Sequence, residues 1–337
     1  MSFRFKLGVP RKRGNPKVDP PDSGPPNPSK RRRAAALRIC IVIAVAGLFL
    51  TSCSRLRNNN SQSAAQTREV SDEAGRRVIV PQKIDRIVSL APNLTEIVYA
   101  VGAGAQLVGD TTYCDYPVAA KSVAKVGDTM QPSIERIIAL KPQIVLVSTA
   151  SQLEAFTRQL DEQHIAVYVN RAENLDDVLK SIQTLGDLFD HHDAATRLVG
   201  ELRRRSLAVE TSTRDLKAVR VFYQVSGEPL YTIGRESYLT DLIRRAGGVS
   251  VTADVPGAFP RFSDEAALAL RPEAIILATG GSMGEANASA AASLRQSPAV
   301  LNSHIYRING DLLSRPGPRL VDGLEAMARA LHPEAFP

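Results

Sequence analysis

Two similar α/β lobes joined by one long helix is the fold this sequence predicts, and three observations predict it. Short apolar runs alternate with helical patterns along most of the chain, which is the signature of a parallel sheet covered by helices on both faces. From Asp193 to about Ala218 the alternation stops, and a charged helical pattern runs without a break. A stretch of sequence then returns. Ser133 to Leu140, Lys141-Pro142-Gln143 and Ile144 to Leu146 recur as Ser263 to Leu270, Arg271-Pro272-Glu273 and Ala274 to Leu277. Both copies read as a capped helix, a basic residue, Pro, an acidic or amide residue and an apolar strand.

The N-terminal part is of another kind. Residues 1–30 are rich in Pro, Gly, Lys and Arg and poor in large apolar residues, a composition that does not build a core. Lys30-Arg31-Arg32-Arg33 precedes the apolar stretch Ile39 to Leu50, and a charged region followed by a short apolar one describes an export signal. About 20 apolar residues are needed to span a bilayer comfortably, and this stretch is shorter. The leader is long for a signal, which points to a start downstream of Met1. Leu50-Thr51-Ser52-Cys53 resembles the lipobox of bacterial lipoproteins, in which the Cys thiol is acylated and becomes the mature N-terminus. Two or more lipid chains on one residue give stable anchoring, so Cys53 is the expected lipidation site. An uncleaved signal anchor is the alternative. The Asn/Ser/Gln-rich residues that follow read as a flexible tether. The expected division is 1–52 signal and leader, 53–67 lipidated tether, 68–190 first lobe, 191–217 linking helix and 218–337 second lobe.

Within the body, Val70 to Val80 reads as two short strands around a Gly turn, and Ile84 to Leu90 as a buried strand. Asn93 to Val101 reads as a helix, with Asn93 or Thr95 as its cap and Glu96 near its start. Leu107–Asp110, Ile144–Val147 and Ala166–Val169 read as strands, and Ser133–Leu140, Leu153–Gln163 and Leu175–Leu188 as helices. After the long helix come a strand at Val219–Val225 and a helix at Tyr238–Ala246 closed by Gly247-Gly248. A helix at Asp264–Leu270, a strand at Ala274–Ala278 and a last helix at Leu320–Leu331 complete the pattern.

Charge excludes one function class. The formal net charge is +7, but 11 of the 42 basic and 2 of the 35 acidic residues lie in residues 1–38. The rest has 31 bases against 33 acids, so nothing in the body suggests nucleic-acid binding. Of the three cysteines, Cys40 and Cys53 lie in and just after the apolar run and Cys114 stands alone. No disulfide framework is implied.

The run Arg86-Ile87-Val88-Ser89-Leu90-Ala91-Pro92-Asn93-Leu94-Thr95-Glu96 resembles the opening of the class III periplasmic binding proteins, the family of cobalamin and iron-chelate binders. Tyr113-Cys114-Asp115-Tyr116-Pro117, Val126-Gly127-Asp128 and the Glu135-to-Pro142 run resemble it too, in order and at the right spacing, over about Val70 to Leu331. The resemblance implies two Rossmann-like lobes on a rigid backbone helix, a ligand in the cleft between them, and little closure on binding. It also implies one acidic residue per lobe that docks on the membrane permease of an ABC importer, here Glu135 and Glu265. Charge pairs at matched positions set register and encounter rate with a two-fold symmetric partner. Without the resemblance each Glu reads as a helix N-terminal acid. The ATPase is a separate subunit, since no Walker A motif is present.

The ligand positions carried over are Tyr113, Asp311 and Arg315, with Phe259 near a third. Thr129 and Ser148 stand where the cobalamin-binding branch has tryptophans, so two aromatic walls are missing. With Met130, Tyr231 and Arg261 these form the expected lining. Aromatic faces and Met suit a large, flat, partly apolar ligand, while arginines suit peripheral carboxylates or phosphates. The reading is a lipid-anchored, exported binding protein with no cofactor of its own. It delivers a metal chelate, a cobalt corrinoid such as cobalamin first and a ferric siderophore or haem second. Tyr113 or Met130 would be the haem-iron ligand. Each also has a packing reading, and for Tyr113 and Met130 packing is the commoner fate.

Two other chemistries are weighed. His164, His191, His192, His304 and His332 are scattered, so no bare metal site is expected. Gly280-Gly281-Ser282-Met283-Gly284 follows an apparent strand and matches a nucleophile elbow, with Asp311 and His332 downstream. Only 55 residues follow Ser282, little room for the later strands of a serine hydrolase. The expectation is therefore that the chain is not an enzyme. Gly102-Ala103-Gly104 does not complete a dinucleotide motif, because Leu107 takes the third glycine position.

Overall fold

The computed structural model describes residues 66–148, 153–281 and 289–336. The leader, Cys53 and Ser282 lie outside the described residues.

Two separate sheets carry the body. A hairpin of β1 (Thr67–Ser71) and β2 (Arg77–Pro81) leads into the first, and Gly75 makes its turn with φ +80°. The first sheet joins β3 (Ile87–Ser89), β4 (Leu107–Asp110), β5 (Ile144–Val147) and β6 (Ala166–Val169) in the order β4-β3-β5-β6, all parallel. Its helices are α1 (Pro92–Ala100), α2 (Ile134–Ala139), α3 (Leu153–Asp161) and α4 (Leu175–Leu188). The chain then runs through the long α5 (His192–Thr213) into the second sheet. That sheet has β7 (Val219–Gly227), β8 (Leu230–Thr232), β9 (Gly248–Ser250), β10 (Ala274–Thr279) and β11 (Ile305–Asn309). Its path is β11-β10-β7-β8, with β9 on the first residues of β7. The helices here are α6 (Tyr238–Arg245), α7 (Asp264–Ala269), α8 (Pro298–Leu301), α9 (Gly310–Leu313) and α10 (Leu320–Leu331).

The two-residue pleat divides the core. In β5 Ile144 and Leu146 face one way and Val145 and Val147 the other; in β10 Ala274, Ile276 and Ala278 oppose Ile275 and Leu277. The first set in each sheet belongs to one continuous core that also takes Val178 and Ile182 of α4, Leu202 and Val209 of α5, Leu242 of α6 and Leu324 of α10. The opposite faces have cores of their own, closed by Ile137 of α2 and Ala267 of α7 respectively. The lobes thus share an apolar floor and cover their outer faces separately. Rotating one against the other would break that shared packing.

The repeated segment folds alike in both lobes. Ser133 and Ser263 cap α2 and α7 by accepting from Arg136 N and Ala266 N. After each helix a basic residue, Lys141 or Arg271, takes φ +48°, and Pro follows to prevent continuation. Arg86 and Arg220 then donate to the last helical carbonyls, Leu140 O and Leu270 O. Gln143 N and Glu273 N donate to Arg86 O at 2.9 Å and Arg220 O at 2.8 Å. Lys141 and Arg271 use the left-handed conformation that glycine usually supplies.

Several sequence expectations need correction. Asn93 and Thr95 do not cap α1. Pro92 starts the helix, where its missing N–H costs nothing, and both side chains are buried. Thr95 Oγ1 instead donates to Ser89 Oγ at 2.9 Å. The long helix ends at Thr213, short of Ala218, because the chain turns to enter β7; Leu216 N donates to Thr213 O at 3.1 Å. The strand expected over Ile84–Leu90 is only Ile87–Ser89. Strands β8, β9 and β11 were not expected, and β8 runs antiparallel at the sheet edge.

Candidate functional site

A cavity of about 500 Å³ opens between the lobes. The first lobe lines it with residues that follow the carboxyl ends of all four strands: Ala91-Pro92-Asn93 after β3, Tyr113 after β4, Ser148 after β5 and Asn170 after β6. Open parallel sheets bind ligands there, since the loops at that edge are free to vary while the strands fix their roots. The second lobe contributes Glu236 to Tyr238 at the start of α6, Phe259 from the loop before α7, and Ser314 to Pro316 after α9.

The aromatic walls are Tyr113, 53% exposed, and Phe259, 47% exposed. Large apolar faces left in water at a cleft mouth are what a flat ligand would cover. Between them most of the lining is polar and uncharged, with Glu236 and Arg315 as its charged members. Asn93 Nδ2 donates to Pro316 O across the lobes at 3.3 Å. Asn170 Nδ2 donates to Glu73 Oε2 at 2.6 Å and to Ser181 Oγ at 2.9 Å. Burial pushes the Glu73 carboxyl above its ordinary range. Tyr238 spends its hydroxyl on Leu313 O at 2.8 Å and packs as a wall.

Beside the cleft lies a buried ionic cluster that joins the lobes. Arg315, 4% exposed, sets Nη1 at 3.1 Å from Glu96 Oε1 and 2.8 Å from Asp115 Oδ1, and Nη2 at 3.1 Å from Asp311 Oδ1. Arg319 holds both Glu96 oxygens, at 2.9 and 2.6 Å, and its guanidinium stacks 3.9 Å above the Tyr116 ring. Burial penalises the Arg315 charge, yet the carboxylates around it hold its pKa above the ordinary guanidinium value. Gly281 has φ +58°, and a Cβ there would sit 2.6 Å from the Asp311 carboxylate, so glycine is required for this approach.

The loop that carries Tyr113 and Asp115 is pinned from below. Lys125 Nζ donates to Asp110 Oδ1 at 2.7 Å and to Cys114 O and Ala120 O at 3.0 Å. Burial raises the Asp110 carboxyl to about 6, with Lys125 opposing. Cys114 is buried against Thr95 and Thr111, and burial pushes its thiol up, which keeps it protonated and unreactive.

Of the lining expected from sequence, the structure brings Tyr113, Phe259 and Arg315 to the cleft and sets Asp311 against Arg315. It leaves the other three off the lining. Met130 is exposed on the turn where Asp128 Oδ1 accepts its N–H at 2.7 Å, although its neighbour Thr129 does line the cavity. Tyr231 bridges to Arg261 in the second sheet, and Arg261 faces a separate surface cavity beside Glu265. Sequence reasoning missed Glu96, Asn93 and Asn170 as site residues. The signal available for the two amides was their place just after a buried strand.

Glu135 and Glu265 are both exposed, each two residues after the capping serine of its helix. Its own backbone N–H, and then Ser133 Oγ, which donates to Glu135 Oε2 at 2.9 Å, hold the Glu135 carboxyl below its usual range. His332, expected as the base of the hydrolase reading, is buried at the end of α10 on Gly247 O at 3.0 Å and near Glu334. Among the described residues no group of three His, Cys, Asp or Glu could hold a metal ion, and no helix is long and apolar enough to cross a membrane.

Residues 87–312 match the periplasmic binding protein family. The chain belongs to that family. An uncharacterised ABC transporter substrate-binding lipoprotein of Bacillus subtilis is 30% identical over 310 residues, 88% of this chain and 98% of that one. The crystal structure of the periplasmic vitamin B12 binding protein of Vibrio cholerae is similar with a TM-score of 0.66 at 28% identity, covering 75% of this chain and 99% of that one. A periplasmic haem-binding protein from Pseudomonas aeruginosa has a TM-score of 0.66 at 26% identity, covering 75% and 95%. The two-lobed fold is that of the class III members.

Proposed function

We propose that this protein is the substrate-binding lipoprotein of an ABC importer, anchored through acylated Cys53, and that its ligand is a cobalt corrinoid. The carrying observation is the chemistry of the cleft. Two half-exposed aromatic faces flank amides and hydroxyls from Asn93, Asn170, Ser148, Ser237 and Ser314. A corrinoid offers a large ring rimmed by neutral amides, and amide-to-amide pairing satisfies both partners without burying a charge. The similarity to vitamin B12-binding relatives supports the same reading. Glu135 and Glu265 would dock the two lobes on the permease, and the shared apolar core would keep closure small.

Haem is the second reading, and Tyr113 favours it: an exposed phenol at the cleft mouth suits an iron ligand. Purification from the native host followed by an absorbance spectrum separates the two. A corrinoid spectrum with cyanocobalamin binding at one per chain supports the proposal. A haem Soret band, with no response to cyanocobalamin, sinks it.

A further inference from the structure

This inference rests on the cleft being the ligand site and concerns what the cleft turns away. Among its described lining residues only Arg315 is cationic. Its guanidinium faces three carboxylates, those of Glu96, Asp115 and Asp311, and Arg319 behind it is committed to Glu96. Three carboxylates therefore already surround the one cation of the lining. The other charged lining residue, Glu236, is acidic as well. Glu96 and Asp311 are buried, with side chains 2% and 12% exposed, whereas the Asp115 side chain is 45% exposed on the loop that carries Tyr113. A carboxylate half in water adds little to stability, but it settles the sign of the field that an approaching ligand meets.

We infer that Asp115, with Asp311 behind Arg315, is a specificity-determining residue: it occupies the arginine, so the cleft rejects anionic metal chelates and admits neutral or cationic ones. An anionic ligand would have to displace Asp115 from Arg315 and would then face Glu236 on the lining. A neutral ligand pays neither penalty. The arginine that the sequence offers as an anion receptor is thereby turned into a neutral strut.

The test compares metal-free protoporphyrin IX, which carries two carboxylates, with its neutral dimethyl ester. Leaving out the iron removes any contribution from Tyr113 ligation. Fluorescence titrations are made on the wild type, Asp115→Asn and the double variant Asp115→Asn/Asp311→Asn. Each substitution removes one carboxylate from around Arg315. The wild type should prefer the ester, and the acid-to-ester affinity ratio should rise about tenfold with each carboxylate removed. The ratio cancels general damage to the cleft, and the single variant carries the test if the double variant folds poorly. A constant ratio, a wild type that binds acid as well as ester, or no binding of either porphyrin by any variant would each overturn the inference. Cyanocobalamin binding by the wild type is measured separately. Should it fail while the ratio shifts as stated, the corrinoid reading falls and the charge filter stands.

Discussion

Replacing Glu96 by Gln is the most direct probe of how the lobes are held. Glu96 is 3% exposed and accepts from Arg319 Nε at 2.9 Å, Arg319 Nη2 at 2.6 Å and Arg315 Nη1 at 3.1 Å. Gln keeps the shape but turns one acceptor into a donor that meets a guanidinium donor. Two buried cations are then left to share Asp311 and the half-exposed Asp115. Removing one partner of a buried pair costs about 3–5 kcal/mol, because the remaining charge stays desolvated. The retained amide oxygen recovers part of this, so about 3 kcal/mol is expected. At about 2–4 °C per kcal/mol, thermal unfolding followed by circular dichroism should shift down by roughly 6–12 °C. A double-mutant cycle with Arg319→Met isolates the pair, and its coupling should exceed about 1 kcal/mol. A loss below 1 kcal/mol, or strict additivity, would show that the cluster does not hold the lobes together.

Three further predictions concern other links. The Asp110 carboxyl titrates at about 6 in the fold against 3.8 as a free group. The folded state therefore binds its proton more tightly, and the stability this group contributes is present at low pH and lost as pH rises from about 4 through 6. Asp110→Asn abolishes that dependence, so wild type minus variant should change by at most about 3 kcal/mol between urea titrations at pH 4 and pH 7; equal differences at both pH values contradict the assignment. Phe259→Ala should weaken corrinoid binding about tenfold in a calorimetric titration while leaving Tm in place, since the ring is half exposed and contributes little to the core. Glu135→Ala and Glu265→Ala should leave ligand affinity unchanged and reduce uptake of labelled ligand in cells; normal uptake in the double variant removes these residues from docking.

Much of the architecture was legible because its periods are local. Strands β4, β5 and β6 of the first sheet and helices α4 and α10 emerged near their predicted bounds, since short apolar runs and 3.6-residue periodicity mark them without outside help. The repeated segment announced two lobes, and its two arginine-locked helix ends explain why the repeat extends past the helix to Gln143 and Glu273. Strands β8 and β9 were illegible for the opposite reason. Leu230–Thr232 and Gly248–Ser250 are three residues long and hold their form only by pairing with β7.

Residue types at the site, by contrast, were easier to name than to place. Tyr113 and Phe259 reached the cleft, while Arg261 and Tyr231 paired with each other away from it. Arg315 was found from sequence as a cation facing a ligand. Only the fold set it against carboxylates from positions 96, 115 and 311. The sequence by itself settled which segments pair with water and which with the core, because that depends on spacing along the chain. Tertiary structure decided the charge of the cleft. Coulomb interactions fall off with distance in space, and residues some 200 positions apart can lie within 3 Å of one another only after folding.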